Sequence, residues 1–523
     1  MKKYWKFISL ILGIAFDILF WKKNPGISFA IFITLSLVAG YHLSKSENIP
    51  HAKMNFLLFV PIIFFSLMIF IRRDPFTLFL DYTLVLMTVG ILIISFQNGR
   101  WISNGLLDYV KGFLKLTRSI LKFPLFKPSN EISNSSPEKE QKNYLWPIIR
   151  GLLLAFPVLM VFTILFSSAD LIFEQKINLL ISKFNFQYLM ENIFRIIYIL
   201  LMANILAGIF THAAVRNQRN EPIDAEKPII KHFLGFTEAS IVMVSVLLLF
   251  ISFIGIQFQY FFLGKINITL EGFTYSEYAR RGFGELISAA FFSLILILSL
   301  SSITRRENNK QKCFFSILNI GLVVSVLIIL TSSFQRLLLY ESAYGYSQLR
   351  TYSHVFIVWL GILLVAVVIL EIINQPRRFG NIAIMVLIGF SVTLNLINVD
   401  AFITRQNIGR TTFGKELDIP YLTSLTSDAI PILADAYLSS NISENSRDGI
   451  GAALVCFQIQ AEANVSKIKS WQSFHLSEWK AARELENVKH KLKGYRFQNE
   501  GFPTMVFSPL GEKFKCKDYF IFD

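Results

Sequence analysis

Eleven apolar runs, most of them about twenty residues long, leave this chain few ways to fold. The first lies in MKKYWKFISLILGIAFDILFW, and the others fall near 27–43, 54–71, 76–97, 145–167, 192–214, 236–263, 283–303, 313–335, 353–374 and 381–399. A helix rises about 1.5 Å per residue, so such a run matches the hydrocarbon layer of a bilayer, where every backbone N–H and C=O must be satisfied within the segment. The expected class is an all-α polytopic membrane protein with about eleven transmembrane helices, grouped as four and seven. A content of 53% hydrophobic against 17% charged residues agrees with it. The first run has the basic lead of a signal peptide but no small-x-small cleavage site, and reads as an uncleaved helix.

The net charge of +15 would suggest nucleic acid if it were spread evenly. It is not: residues 400–523 hold 15 Lys and Arg against 15 Asp and Glu, so the whole excess lies in the apolar part. Basic residues in loops between membrane segments set topology and meet anionic headgroups. The partners expected are therefore membrane lipids and an envelope protein, not nucleic acid. With the N-terminus in the cytoplasm, the cytoplasmic loops carry 22 Lys and Arg and the opposite loops 11. An odd helix count then places the C-terminal domain outside, although Lys22-Lys23 and Arg72-Arg73 oppose the rule and losing one helix would invert that placement.

Four regions follow: a four-helix membrane unit over 1–97, a cytoplasmic segment over 98–144, a seven-helix membrane core over 145–399, and an extracytoplasmic, mainly helical domain over 400–523. Within the second, Lys111, Lys115, Arg118 and Lys122 recur at helical spacing opposite Leu107, Phe113, Leu114 and Leu121. That pattern fits a helix lying on the inner leaflet, and equally a solvated helix packed on the bundle. KPSNEISNSSPEKEQKN after it is polar and aperiodic, the composition of a disordered linker. In the last region 447–464 and 476–492 have helix-forming composition, and the tail GYRFQNEGFPTMVF suits a short hairpin.

Three polar clusters share the outer face in this topology. In SSADLIFEQ, Asp170 and Glu174 follow the fifth helix, where Asp170 either caps an interfacial helix or acts as a base. In LEGFTYSEYARRGFGEL, Glu277, Arg281 and Glu285 form an i, i+4, i+8 ladder beside Arg280. Tyr275, Tyr278 and Phe283 suit an interfacial belt, which explains the aromatics better than two adjacent arginines. The third cluster, from Asn395 to Leu433, presents Asp400, Arg405, Asn407, Arg410, Asp418, Tyr421 and Asp428, with Pro420 early in one short helix and Pro431 interrupting the next. It is either a salt-bridged collar fixing the domain to the bundle or a pocket for a phosphate or sugar-phosphate headgroup. The candidate anion-binding residues are Arg280, Arg281, Asp400, Arg405, Asn407 and Arg410, supported by Asp170, Glu277, Asp418, Tyr421 and Asp428.

The chain has no Gly-rich phosphate loop, Gly-x-Ser-x-Gly elbow or His-Glu-x-x-His pair. Its seven histidines suggest no metal site, and no cofactor is implied. Asp17, Asn204, Glu238 and Asn395 stand alone inside apolar runs and could mark a transport path. Of three cysteines, Cys456 and Cys516 could pair if their domain is exported, and spacing leaves this open.

YARRGFGEL (Tyr278 to Leu286), NVDAFITRQNIGR (Asn398 to Arg410), LDIPYL (Leu417 to Leu422) and SDAIPIL (Ser427 to Leu433) occur in that order. DILF, NPG, SSADLIF and LSEWKAAREL add weaker blocks. Together they resemble a multi-pass bacterial membrane family of unknown function, the DUF4173/DUF4153-like family, over most of the chain. The resemblance implies a bacterial cell membrane location, an unassigned activity and no catalytic residues. The expected function is a non-enzymatic envelope scaffold or sensor-like component that binds an anionic headgroup or partner. The alternatives are an enzyme using Asp170, Glu277 or Asp400 on a lipid-linked glycan or phospholipid, and a transporter.

Overall fold

The computed structural model describes residues 2–122, much of 151–176, 186–215, 233–262, 283–373, 375, 378–465, 470–498 and 504–516. The linker, most of the fifth apolar run, and Glu277, Arg280 and Arg281 lie outside the described residues, as does the side chain of Phe283. Helix dominates. The first five helices are α1 (Lys2–Phe20), α2 (Ile27–Ser46), α3 (Phe56–Ile71), α4 (Pro75–Ser95) and α5 (Leu106–Leu121). They are followed by α6 (Phe186–Val215), α7 (Phe236–Phe262), α8 (Phe283–Ile303), α9 (Asn309–Tyr344), α10 (Gln348–Ile372) and α11 (Phe379–Ile397). Nine segments among the described residues are long and apolar enough to cross a membrane, and each coincides with an expected run. Lys2, Lys3, Lys6 and Asp17 leave α1 outside that set. An all-α polytopic membrane protein is the fold class.

The reasons for individual boundaries are local. Asp74 accepts a 2.9 Å hydrogen bond from the Thr77 amide and starts α4, with Pro75 in the first turn. Gln311 accepts from the amide of Glu307 at 3.0 Å, closing the start of α9. Asn398, at φ 55°, ends α11 and begins α12 (Val399–Thr411), so the eleventh run stops there. Asp400 and Asn407 share a face, because both sit on α12 seven residues apart.

The described chain forms two compact units. One comprises 1–22, 35–47 and 116–212. There Gly13 of α1 approaches Ala203 of α6, and the buried Asp17 receives both Nε and Nη2 of Arg195 at 2.7–2.9 Å. Lys22 pairs with Glu191 at 2.7 Å.

The other unit comprises 23–34, 48–115 and 213–523. It joins α3 and α4 to the helices α7–α11 and to the C-terminal domain. Apolar side chains such as Ile241, Leu248, Leu249, Ile256 and Phe292 stay exposed along α7 and α8, as lipid-facing positions do. In α5, Tyr109 and Gly112 face α4 and α11, whereas Leu106, Val110 and Leu114 form an exposed stripe beside exposed Lys111 and Lys115. One face is thus packed and another is amphipathic.

The C-terminal part adds α13 (Ile419–Leu422), α14 (Ile430–Leu438), α15 (Glu444–Val465) and α16 (Leu476–Val488). Pro431 sits in the first turn of α14, so it starts that helix and does not interrupt it. A three-stranded antiparallel sheet follows, β1 (Arg496–Gln498), β2 (Met505–Phe507) and β3 (Lys513–Lys515), with Phe497 opposite Val506 and Val506 opposite Phe514. The expected hairpin pairing is present, with one more strand. Cys456 of α15 and Cys516 after β3 form a disulfide. The domain core of Leu422, Leu433, Ile450, Leu454 and Val506 runs on into Leu394 and Val355 of the membrane helices.

Candidate functional site

The short turn 345–347 between α9 and α10 is where the candidate site is built. Gly345 has φ +86°, and a Cβ there would lie 2.8 Å from Asn407 Oδ1, so only glycine permits the approach of α12. Asn407 uses that approach: its Oδ1 accepts from the Tyr346 amide at 2.8 Å, and its Nδ2 donates to the Tyr346 carbonyl at 3.0 Å. Arg410, one turn later, donates Nη2 to the carbonyls of Ser342 and Ala343 at 2.9 and 3.2 Å. Those carbonyls end α9, whose dipole favours a cation at this point. Arg350 donates Nη1 to the Gly345 carbonyl and lies 4.1 Å over the Tyr340 ring.

Opposite stands the segment 416–422. Asp418 accepts from the Tyr421 amide at 3.0 Å and caps α13. The Tyr421 hydroxyl accepts from the Gln348 amide at 2.8 Å, and burial pushes its pKa up to about 12. Between the two sides is a cavity of about 120 Å3, whose lining includes Arg350, Arg410, Asn407, Glu416, Asp418 and Tyr421, together with Tyr344 and Tyr346. Burial, with the charge of Arg350 adding to it, lowers the pKa of Arg410. Neither arginine forms an ion pair among the described residues, and Nε and Nη1 of Arg410 with Nε and Nη2 of Arg350 have no protein acceptor there.

Four sequence candidates, Asn407, Arg410, Asp418 and Tyr421, therefore converge on one cavity. Asp400 and Asp428 lie in a neighbouring buried network. Asp400 is fully buried, with Oδ1 accepting from Gln348 Nε2 at 2.7 Å and Oδ2 from the amide and hydroxyl of Thr426 at 2.8 and 2.6 Å. Asp428 accepts from the Arg73 amide at 3.0 Å and faces Arg72 at 3.8 Å. Arg72 also donates twice to the Asn395 carbonyl, and Arg73 pairs with Glu478 at 2.9 Å. The two basic pairs that opposed the loop-charge rule thus include three residues, Lys22, Arg72 and Arg73, with carboxylate partners. Arg405 is exposed and has no ion pair among the described residues. Asp170, in the other unit, is exposed and accepts from the amides of Ile172 and Phe173, a capping geometry.

Arg350, Glu416 and Asp74 were not among the sequence candidates. Asp74 joins the buried network by accepting from Tyr352 and, at 3.5 Å, from Gln348. Glu416 lies two residues before Asp418, and in the sequence Arg350 reads only as a loop charge. The isolated polar residues also have local partners: Asp17 with Arg195, Asn204 with the Ile120 carbonyl, Glu238 with the Gly235 amide, and Asn395 with Asp81 at 2.8 Å. Among the described residues no group of His, Cys, Asp and Glu could hold a metal.

Burial pushes the Asp400 and Asp428 carboxyls above the usual carboxylate range. An acid whose folded pKa exceeds its unfolded value stabilises the fold fully below the unfolded value and loses that contribution as pH rises through the folded one. Lowering pH from neutral toward the ordinary carboxylate range should therefore raise the urea midpoint of the C-terminal domain, followed by tryptophan fluorescence. A midpoint that falls over this interval would contradict the sign.

Residues 59–436 match the profile of the family described as Domain of unknown function (DUF4153), well over half of the chain, and the chain belongs to that family. No curated protein and no solved structure matches it.

Proposed function

We propose that this member of the DUF4153 family is a bacterial cell-membrane protein with its N-terminus in the cytoplasm and its C-terminal domain outside, acting as a scaffold or sensor-like component. Its ligand is an anionic, phosphate-bearing headgroup bound in the cavity between α9, α10, α12 and α13. One observation carries the reading: Arg350 and Arg410 line the same cavity, are held by backbone carbonyls, and keep N–H groups without acceptors. Planar guanidinium groups fixed in this way suit oxyanions, because the cost of ordering them is already met. The cavity is smaller than the roughly 300–1,000 Å3 typical of sites for drug-sized molecules, which suits a headgroup whose acyl chains stay in the bilayer.

The exported position of the domain is supported by the excess of basic residues in the loops assigned to the cytoplasm and by the Cys456–Cys516 disulfide, since such bonds persist in oxidising compartments. An acid–base role draws no support from Asp400, both of whose oxygens are committed to Gln348 and Thr426.

Arg350→Ala and Arg410→Ala remove one charge-assisted contact each, and the double variant should lose about tenfold or more in affinity for phospholipid. The measurement is native mass spectrometry of the detergent-purified full chain titrated with phosphatidylglycerol. Arg405→Ala, on an exposed arginine outside the cavity, serves as the control. Equal lipid occupancy in the double variant and the control would sink the reading.

A further inference from the structure

The cavity holds charges of both signs that do not neutralise each other. Arg350 and Arg410 line it, and so do Glu416 and Asp418, yet no arginine–carboxylate pair within 4 Å forms among them. Opposite charges lining one cavity attract each other, but a pair forms only where the side chains are free to meet. Three of the four are restrained here, and Glu416 is exposed. Arg410 is tied to the Ser342 and Ala343 carbonyls, Arg350 to the Gly345 carbonyl and the Tyr340 ring, and Asp418 to the amide of Tyr421. The fold thus keeps two cations on the α9–α10–α12 side apart from two anions on the 416–418 segment.

An anion alone would satisfy only half of this arrangement and would meet Glu416 and Asp418 as like charges. A ligand that carries an oxyanion and, a few bonds away, an ammonium group would satisfy both halves. Tyr344, Tyr346 and Tyr421 line the same cavity, and aromatic faces attract ammonium groups. Resting on the phosphate-binding reading above, we infer that the ligand is a zwitterion of the phosphoethanolamine class, its phosphate on Arg350 and Arg410 and its ammonium on Asp418 and Glu416. The position of the cavity favours access from the membrane surface. It is lined by residues of the turn joining α9 to α10, two helices that qualify as membrane spans, which would let a headgroup bind while its chains remain in lipid. The same chemistry exists in a free phosphoethanolamine ester, and the test separates the two sources.

Full-length protein in detergent is titrated with short-chain phosphatidylethanolamine, short-chain phosphatidylglycerol and soluble glycerophosphoethanolamine, with occupancy read by native mass spectrometry. The wild type should prefer the ethanolamine lipid to the glycerol lipid by about tenfold, the worth of one charge-assisted contact. Glu416→Gln with Asp418→Asn keeps the shape, and asparagine still caps α13. This double variant should bind both lipids with similar affinity, the ethanolamine lipid having lost the partners of its ammonium group and the glycerol lipid having been relieved of two like charges. Arg350→Ala with Arg410→Ala should weaken both lipids together. If the carboxamide variant keeps the full ethanolamine preference, the zwitterion inference is overturned while the phosphate pocket stands. If the arginine variant keeps both affinities, the pocket itself is overturned. Binding of glycerophosphoethanolamine as tight as that of the lipid would assign the site to a soluble ligand and overturn access from the membrane.

Discussion

Asp400→Ala should undock the C-terminal domain. The carboxylate is fully buried and takes hydrogen bonds from Gln348 on α10 and from the amide and hydroxyl of Thr426, before α14. Deleting it strands three donors in a packed interior, and each stranded donor costs about 1–3 kcal/mol. Partial relaxation brings the total to about 3–5 kcal/mol, at the upper end of what single substitutions do. Domains are stable by only about 5–15 kcal/mol, so the contact between domain and helices should open well before the membrane helices separate. Limited proteolysis of the solubilised protein should then cleave between 411 and 430 in the variant and not in the wild type. Arg405→Ala, five residues away on the exposed side of α12, should change stability by no more than about 0.5 kcal/mol. Equal protease resistance of Asp400→Ala and Arg405→Ala would remove Asp400 from its structural role.

Cys456→Ser has a comparable expected effect through a different physical route. The bridge to Cys516 closes a loop with a sequence separation of 60, which lowers the entropy of the unfolded chain by an amount worth about 4 kcal/mol. It also ties α15 to the end of β3, and both cysteines are buried in the domain core. The variant should lose the sheet to proteolysis first and lower the thermal midpoint of the domain by several degrees, as measured by scanning fluorimetry. The same bond reports on compartment. In cells quenched with an alkylating agent, Cys456 and Cys516 should be protected from the reagent until reduced, and Cys313 should react directly because it is free and exposed. Free thiols at both C-terminal positions would contradict an extracytoplasmic domain.

What could be read from the sequence follows from how far apart the partners lie. The membrane segments were legible because each is a contiguous apolar run whose own hydrogen bonds make it a helix. The pairing of GYRF with TMVF was legible because its strands are neighbours. Asn407, Arg410, Asp418 and Tyr421 were found as a cluster because they fall within fifteen residues of one another. Arg72 and Asp428 are 356 residues apart in the chain, and nothing in either neighbourhood announces the other. The result was that Arg72 and Arg73 looked like misplaced topology signals, when their carboxylate partners lie in the C-terminal domain. Arg350 is illegible for a related reason: no other Lys, Arg, Asp or Glu lies within eight residues of it, and only the turn at Gly345 brings Arg410 beside it.

The length of α9 has a mechanical consequence. It runs unbroken for 36 residues, about 54 Å, well beyond the roughly 30 Å hydrocarbon layer. Its last carbonyls hold Arg410 at the cavity, and its first turns carry Phe315, over which Arg306 lies while paired with Glu371 of α10. A continuous helix of this length links the two ends mechanically, so a tilt imposed where Arg410 grips one end would be felt at the Arg306–Glu371 clasp. On the proposed reading, a ligand in the cavity would act at one end of a helix whose other end carries the Arg306–Glu371 clasp.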